Sequence, residues 1–321
     1  MSLGRFGVVL NSEVEENVRE VFGVEGERWI AELPGVVDGL KARWGLHIFH
    51  GPYRGGTHAY VAPVFRSDRS LVVVKVPVVD EENVAEATAL YAYDGDGAVR
   101  LLEYDPGSGA MLLECAEPGR ALLTQPGFPS LEGRPENAEK VALACSLYRR
   151  LRRPLPAAPP TFPPLPRATD LIVGLRARLA DPALAPLISD PLRARVEHWC
   201  TELATFDGPP LIVNRDTHLG NIVAAEREPW LLIDPKPCLG EAAFDAGFLL
   251  MIQVQSCPTR AHADAVVDAT ATALAVDPAR ARGWALIRVV EEMTWAVEDD
   301  DPAMLALHTA VAYALADLPF A

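Results

Sequence analysis

The chain has 321 residues, and half of them are hydrophobic, which argues against intrinsic disorder. Its formal net charge of -15 at neutral pH disfavours binding to nucleic acid or anionic membranes. No apolar run approaches the roughly 18 to 20 residues that span a bilayer, no signal-peptide core is found near the N-terminus, and the five cysteines lack metal-ligand spacing. We therefore expect a cytoplasmic protein without structural zinc, whose acidity would attract a cationic small molecule; the oligomeric state stays open.

The N-terminal part of the chain predicts helices followed by strands. Residues 14–45 have helical apolar spacing interrupted at Pro34-Gly35, which favours two helices packed as a cap on the strands after them. The stretch 80–93 predicts one further helix, with acids in its first turn. Strands are predicted at 46–49, 58–65, 71–79, 99–104 and 111–115.

Two features of these strands suit a phosphate ligand. The turn Gly55-Gly56-Thr57 can lay backbone N–H groups over phosphates, although an ordinary hairpin turn is the alternative. Lys75 lies within an apolar strand, and a buried lysine requires a partner or a polar ligand. The alternative for Lys75 is a solubilising lysine on an edge strand.

The remainder of the chain is predicted to be helical except for central hairpins. Seven prolines within residues 154–166 predict an extended linker or flap. Helices are predicted at 136–153, 170–180 and 190–206, with three or four more after residue 245.

One of the last helices, over 285–299, has two contrasting faces. Its apolar face comprises Leu286, Val290, Met293 and Val297. The opposite face carries Glu291, Trp295 and Glu298, which could bind an aminocyclitol or guanidinium group by charge and cation–π contact. A solvated helix face is the competing interpretation.

Three polar side chains lie in turn-prone positions between short apolar runs within residues 211 to 245. Asp216 follows one run, Asn221 comes five residues later, and Asp234 thirteen residues after that. Oxygen ligands at strand ends suit a hard cation with phosphate, and Mg²⁺ takes one or two carboxylates together with substrate oxygens. A turn-shaping role explains any one of them but not the spacing of the set.

This stretch resembles the aminoglycoside phosphotransferase branch of the kinase-like fold, whose usual motif is His-Gly-Asp-x-His-x-x-Asn. The segment Ile233-Asp234-Pro235-Lys236-Pro237, followed by Phe244-Asp245, resembles more particularly the streptomycin 6-phosphotransferase and hydroxyurea phosphotransferase group. The resemblance implies an α+β, two-lobed protein-kinase-like fold, with a five-stranded antiparallel sheet and one helix in the small lobe and a larger, mostly helical second lobe.

For the small lobe, the resemblance implies nucleotide binding over residues 1–115, with the helical cap at 14–45. Lys75 would contact the α- and β-phosphates of ATP or GTP, aligned by Glu86 on the following helix. Glu81 and Glu82 are alternatives to Glu86. The segment Glu114-Cys115-Ala116 would be the hinge, where backbone groups of Glu114 and Ala116 bind the base.

For residues 116–321, the resemblance implies a lobe with the catalytic loop and the acceptor site. Asp216 would orient the acceptor hydroxyl and accept its proton, and Asn221 and Asp234 would bind Mg²⁺. His218 has two candidate roles, contact with the γ-phosphate or a hydrogen bond that shapes the loop. Lys236 would neutralise nearby acids, and Asp245 would support the loop.

The implied activity is ATP- and Mg²⁺-dependent phosphorylation of a small hydroxylated molecule, namely a streptomycin-like aminoglycoside or a hydroxyurea-like compound. Asn214-Arg215 replaces the family's usual His-Gly, which leaves the acceptor open. The alternatives are a catalytically weak or inactive kinase-like binding protein and a kinase for another metabolite, such as a sugar or an amino alcohol. No Asp-Phe-Gly or Ala-Pro-Glu follows Asn221, which argues against a protein kinase.

Overall fold

A computed structural model describes residues 10, 12–49, 51–53, 58–123, 135–182 and 184–319. The chain divides into two compact units. The first contains the described residues through Gly119 together with Ala158–Pro164, and the second contains Arg120–Ala157 and Leu165 onward. The first unit thus takes a short piece of chain from within the proline-rich segment.

The first unit contains the predicted five-stranded antiparallel sheet, in the order β1-β2-β3-β5-β4. Its third strand is central, since Lys75 lies opposite Val61 on one side and Met111 on the other. The strands are β1 (Leu46–Phe49), β2 (Ala59–Arg66), β3 (Leu71–Pro77), β4 (Leu101–Asp105) and β5 (Ala110–Glu114).

The N-terminal helix α1 (Ser12–Trp44) is broken at a different residue from the one predicted. The kink lies at Gly23, whose φ of 50° and ψ of -122° are not helical, while Pro34 lies inside the helix. Glycine is favoured there because it has no Cβ. Around Pro34 the helix is kept continuous by a buried stripe that packs on the sheet: Leu33, Val37, Leu40 and Trp44.

The helix α2 (Glu86–Tyr93) begins six residues later than predicted. Asp80 Oδ1 accepts hydrogen bonds from the N–H groups of Glu82 and Asn83, at 2.8 and 2.9 Å. The Asn83 side chain accepts from the Asp80 N–H and donates to the Val78 carbonyl. These bonds fix a turn, because Asp and Asn side chains compete with helical hydrogen bonding.

The second unit is mostly helical, as expected. Among the residues described after 245 there are four helices, in agreement with the prediction: α6 (Ala246–Val254), α7 (Arg260–Leu274), α8 (Pro278–Glu298) and α9 (Pro302–Ala316). The earlier helices are α3 (Pro135–Leu151), α4 (Ala168–Leu179) and α5 (Asp190–Glu202). On α8, Leu286, Val290 and Met293 are buried, but Val297 is 38% exposed and does not belong to the apolar face.

Short strands position the central loops of this unit. Strand β7 (Leu211–Asn214) pairs antiparallel with β10 (Pro237–Gly240). Strands β8 (Ile222–Ala225) and β9 (Trp230–Leu232) form a hairpin, and β6 (Pro118–Ala121) completes a three-stranded sheet. Within the described residues, no helix is both long and apolar enough to cross a membrane.

Candidate active site

In the first unit, Lys75 on β3 forms a buried ion pair with Glu86, the first residue of α2. The lysine Nζ donates to both carboxylate oxygens, at 2.8 and 2.7 Å. Lys75 is 7% exposed and Glu86 is fully buried. Because β3 is paired on both sides, Lys75 is not an edge lysine. The structure therefore pairs the strand lysine with Glu86 rather than with Glu81 or Glu82, which precede α2.

Two other predicted nucleotide contacts lie at the end of β5. The Glu114 N–H donates to the Arg100 carbonyl, and the Glu114 carboxylate accepts from the Arg100 N–H at 3.0 Å. Gly119 lies shortly after Ala116 and has a φ of +68°. A Cβ on Gly119 would come within 2.8 Å of the Ala116 carbonyl oxygen. The chain turns tightly here. The predicted glycine turn, Gly55-Gly56-Thr57, lies outside the described residues.

In the second unit, Asp216 and Asn221 are brought together by a tight loop between β7 and β8. The loop contains a single turn of 3-10 helix at Leu219–Asn221. The Asn221 amide nitrogen donates to Asp216 Oδ2 at 3.2 Å, which turns the amide oxygen of Asn221 away as a potential cation ligand. The Ile233 N–H donates to the Asn221 carbonyl, so the residue before Asp234 is tied to this loop.

Asp234 follows β9 in a left-handed backbone conformation, with a φ of 48°. Lys236, two residues later, donates to Asp234 Oδ1 at 2.9 Å. The Lys236 carbonyl also accepts from the Arg215 N–H at 2.8 Å, next to the pairing of Pro237 with Asn214. The β7–β10 ladder therefore brings the Asp234 segment beside the Asp216 loop.

The environment of Asp216 raises the pKa of its carboxyl above the usual range. Burial is the main cause, and the nearby carboxylate of Asp234 adds to it, while His218, Lys236 and Arg288 act in the opposite direction. About 26% of the side-chain surface stays accessible. Its Oδ1 atom, however, is buried and has no hydrogen-bond partner among the described residues. A buried acceptor without a donor is costly, so this oxygen suits a ligand that donates a proton.

His218 shapes the loop and faces Asp216. Its Nδ1 accepts a hydrogen bond from the Gly220 N–H at 3.0 Å, which leaves the proton on Nε2, and Nε2 lies 3.5 Å from Asp216 Oδ2. A Cβ on Gly220 would lie 2.8 Å from the His218 ring, so only glycine fits this position without displacement. The loop-shaping contact predicted for His218 is thus present.

Asp245 stabilises the loop that carries Asp216 through hydrogen bonds. Its Oδ1 accepts from the Asn214 N–H at 2.7 Å, its Oδ2 accepts from Arg152 Nε at 2.6 Å, and its carbonyl accepts from the Thr217 hydroxyl. Burial raises the pKa of Asp245, while Arg152 and the Asn214 N–H lower it. Sequence reasoning missed Arg152, whose only signal was its place in the basic end of a predicted helix.

The three residues on α8 that were predicted to bind the acceptor substrate contact arginines of the chain itself. Glu291 is buried and accepts from Arg215 at 2.8 Å and from Arg288. The guanidinium of Arg178 lies 4.2 Å from the centre of the Trp295 ring and forms an ion pair with Glu298. The chain's own arginines therefore make the charge and cation–π contacts that the sequence suggested for a ligand.

Asn221 and Asp234, which both lie near Asp216, would supply the oxygen ligands of a divalent cation. Their donor set consists of oxygen atoms, which Mg²⁺ prefers. The carboxylate of Asp234 raises the pKa of Asp216 by electrostatic repulsion, and a bound cation would reduce this repulsion. The residues present therefore fit a magnesium ion.

Solved structures with the same architecture are kinases of small molecules. The chain matches choline kinase LicA from Streptococcus pneumoniae with a TM-score of 0.58 and 11% identity, over 89% of this chain and 99% of that one. It matches a thermostable mutant of aminoglycoside phosphotransferase APH(4)-Ia, in ternary complex with AMP-PNP and hygromycin B, with a TM-score of 0.55 and 13% identity, over 88% and 98%. The fold is therefore protein-kinase-like, as predicted.

Sequence relatives define the family. Residues 47–300 match the family described as aminoglycoside/hydroxyurea antibiotic resistance kinase, and the chain belongs to this family. It is 35% identical to the streptomycin 6-kinase of Streptomyces glaucescens, over 90% of this chain and 92% of the relative. It is also 35% identical to the hydroxyurea phosphotransferase of Kitasatospora aureofaciens, over 98% and 88%. The resemblance inferred from residues 211–245 is confirmed.

Proposed function

We propose that this protein transfers the γ-phosphoryl group of ATP to a hydroxyl group of a small molecule. The observation that carries the proposal is the buried, unpartnered Oδ1 of Asp216, within the described residues, beside an accessible part of the same side chain. An acceptor hydroxyl that donates to this oxygen would be oriented for attack on phosphorus. Asp216 would then take the hydroxyl proton as the new O–P bond forms and the bond to the leaving ADP breaks.

The remaining residues have positioning roles in this proposal. Asn221 and Asp234 would hold Mg²⁺, which neutralises charge on the β- and γ-phosphates when bound. Lys75 would contact the α- and β-phosphates, and its pairing with both oxygens of Glu86 fixes where its ammonium group points. The nucleotides named with related structures, AMP-PNP among them, support ATP as the donor.

A streptomycin-type aminocyclitol is the first acceptor to test and hydroxyurea the second. Relatives with each activity are about equally similar to this chain, so identity does not separate the two. The net charge of -15 favours the cationic aminocyclitol through long-range attraction. Sugars and amino alcohols belong in the same panel.

The proposal is tested by ATP consumption with this panel, with and without Mg²⁺. We expect acceptor-dependent ADP release that Asp216→Ala abolishes, followed by detection of the phosphorylated acceptor. A catalytically inactive binding protein would instead bind an acceptor without releasing ADP. Failure of every acceptor, with a purified protein that unfolds cooperatively, would contradict the enzyme proposal.

A further inference from the structure

Part of the proline-rich segment belongs to the first unit and packs on its helix α2. We call Ala158–Pro164 the proline strap; both neighbouring stretches of chain belong to the second unit. Its turn is closed by a hydrogen bond from the Phe162 N–H to the Pro159 carbonyl at 3.0 Å. Proline fixes φ, so this segment loses little backbone entropy when it is held in one conformation.

Two contacts join the proline strap to α2. The Thr88 hydroxyl donates to the Pro163 carbonyl at 2.6 Å. The ring of Phe162 lies 5.0 Å from that of Tyr91 on α2 and 4.9 Å from that of Tyr104 on β4, measured between centroids. Aromatic pairs at these distances contribute beyond their buried area.

The helix α2 requires such support. It has eight residues, and its N-terminus lacks a side-chain cap. Helices this short are unstable without tertiary packing. Tyr91 is 41% exposed, unlike the other residues of α2, which are all buried, and it is the residue on which Phe162 packs.

The strap contacts lie across α2 from the ion pair with Lys75. Thr88 and Tyr91 are three residues apart and share one face of the helix. Glu86 precedes Thr88 by two residues, which places it about 200° around the helix axis. The helix therefore contacts the proline strap on one face and Lys75 on the opposite face.

We propose that Phe162, Pro163 and Thr88 are positioning residues for nucleotide binding, since they hold α2 where Glu86 can orient Lys75. This inference rests on the proposed function, in which Lys75 contacts the phosphates. It assigns a role to the part of the proline-rich segment that belongs to the first unit, which neither the family motifs nor the candidate active site explains. No residue of the strap needs to touch nucleotide for the effect to occur.

The test compares Phe162→Ala with Thr161→Ala, a change at an exposed neighbour in the same strap. We expect Phe162→Ala to weaken Mg·AMP-PNP binding roughly threefold to tenfold in calorimetry, in proportion to two lost ring contacts. Backbone amides of α2 should exchange faster. Phe162→Tyr should restore both properties, and Thr161→Ala should match the wild type. The KM of the acceptor should change less than twofold, on the order of experimental scatter.

Each outcome decides between defined possibilities. Equal nucleotide affinity in Phe162→Ala and Thr161→Ala would overturn the strap proposal and leave the kinase proposal intact. Parallel losses of ATP and acceptor binding would indicate general destabilisation and also overturn it. Absence of nucleotide binding in the wild type would instead contradict the proposed function. If Phe162→Ala does not fold, Phe162→Leu, which keeps most of the volume, replaces it.

Discussion

Lys75 in the first unit donates to both oxygens of Glu86, and both side chains are buried. In the second unit, Asp216 keeps part of its surface accessible, has a raised pKa, and presents a buried oxygen without a partner within the described chain. The first arrangement is complete before any ligand binds, and the second is not. In the proposed function, the first unit therefore contributes rigid positioning, whereas the second holds the group that changes its bonding during the reaction.

The largest expected effect comes from Asp216→Asn. The amide cannot accept the acceptor proton as a base, so kcat should fall by about 10²- to 10⁴-fold. Stability should rise at neutral pH, because the raised pKa means that ionised Asp216 disfavours the folded state. Steady-state kinetics and thermal melts measure both effects. If Asp216→Asn were less stable than the wild type, so that unfolding explained its loss of activity, this account would be contradicted.

The pH dependence of the wild type follows from the same shift in pKa. Activity requires the ionised carboxylate, so it should fall as pH drops through a value above the usual aspartate pKa of about 3.9. The stability contribution runs in the opposite direction: it is greatest below the unfolded pKa and is lost as pH rises through the folded pKa. A profile of kcat against pH that shows no acid limb above that range would contradict the assignment.

Lys75→Met tests the complete pair. It leaves the buried Glu86 carboxylate without its cation, which should cost roughly 3–5 kcal/mol of unfolding free energy. The double variant Lys75→Met/Glu86→Leu should recover most of that stability, since apolar groups can replace a buried ion pair, but not nucleotide affinity. Denaturant titrations and calorimetry separate the two effects.

The control for this pair is Lys41→Met, which removes an exposed ion pair with Asp38 and should change stability little. Recovery of nucleotide affinity in the double variant would show that Lys75 has no role in binding.

His308, buried on α9, should govern acid stability. The pKa of His308 is lowered to about 4, mainly by burial; the charge of Arg288 also lowers it, while a hydrogen bond with the Glu292 backbone and the charge of Asp301 oppose the shift. Since the depressed pKa stabilises the fold above the unfolded pKa of about 6.5, stability should fall by about 3 kcal/mol as pH drops from there to about 4. His308→Leu should flatten this dependence in urea titrations. An unchanged slope would contradict it.

The smallest effect is expected for Arg215→Gly, which introduces the residue usual in the family motif. Glu291 keeps Arg288 as a partner, so the loss should be roughly 1–2 kcal/mol of stability. Activity should fall less than tenfold, on the order of one lost positioning contact. The backbone N–H at this position can still donate to the Lys236 carbonyl after the substitution. A loss as large as that of Asp216→Asn would assign Arg215 to the chemistry.

The sequence predicted features that depend on local spacing. The five strands correspond to short apolar segments bounded by turn residues, and Asp216, Asn221 and Asp234 lie between short apolar runs that form strands. Apart from the support of the loop by Asp245, it did not predict contacts between residues far apart in the chain. The neutralisation of Glu291 by Arg215 joins positions 76 residues apart, and the docking of Phe162 on Tyr91 has no local signature. The kink at Gly23 was not predicted, because a proline disfavours a helix interior more strongly than a glycine does.

The claim that binding and chemistry depend on different residues is tested most directly by one paired measurement. Affinity for Mg·AMP-PNP and the rate of phosphoryl transfer from ATP would be determined for the wild type, Asp216→Asn and the Lys75→Met/Glu86→Leu double variant. We predict that Asp216→Asn binds nucleotide as the wild type does but transfers the phosphoryl group about 10²- to 10⁴-fold more slowly, while the double variant folds and loses nucleotide affinity. Normal transfer by Asp216→Asn, or normal affinity in the double variant, would contradict the account.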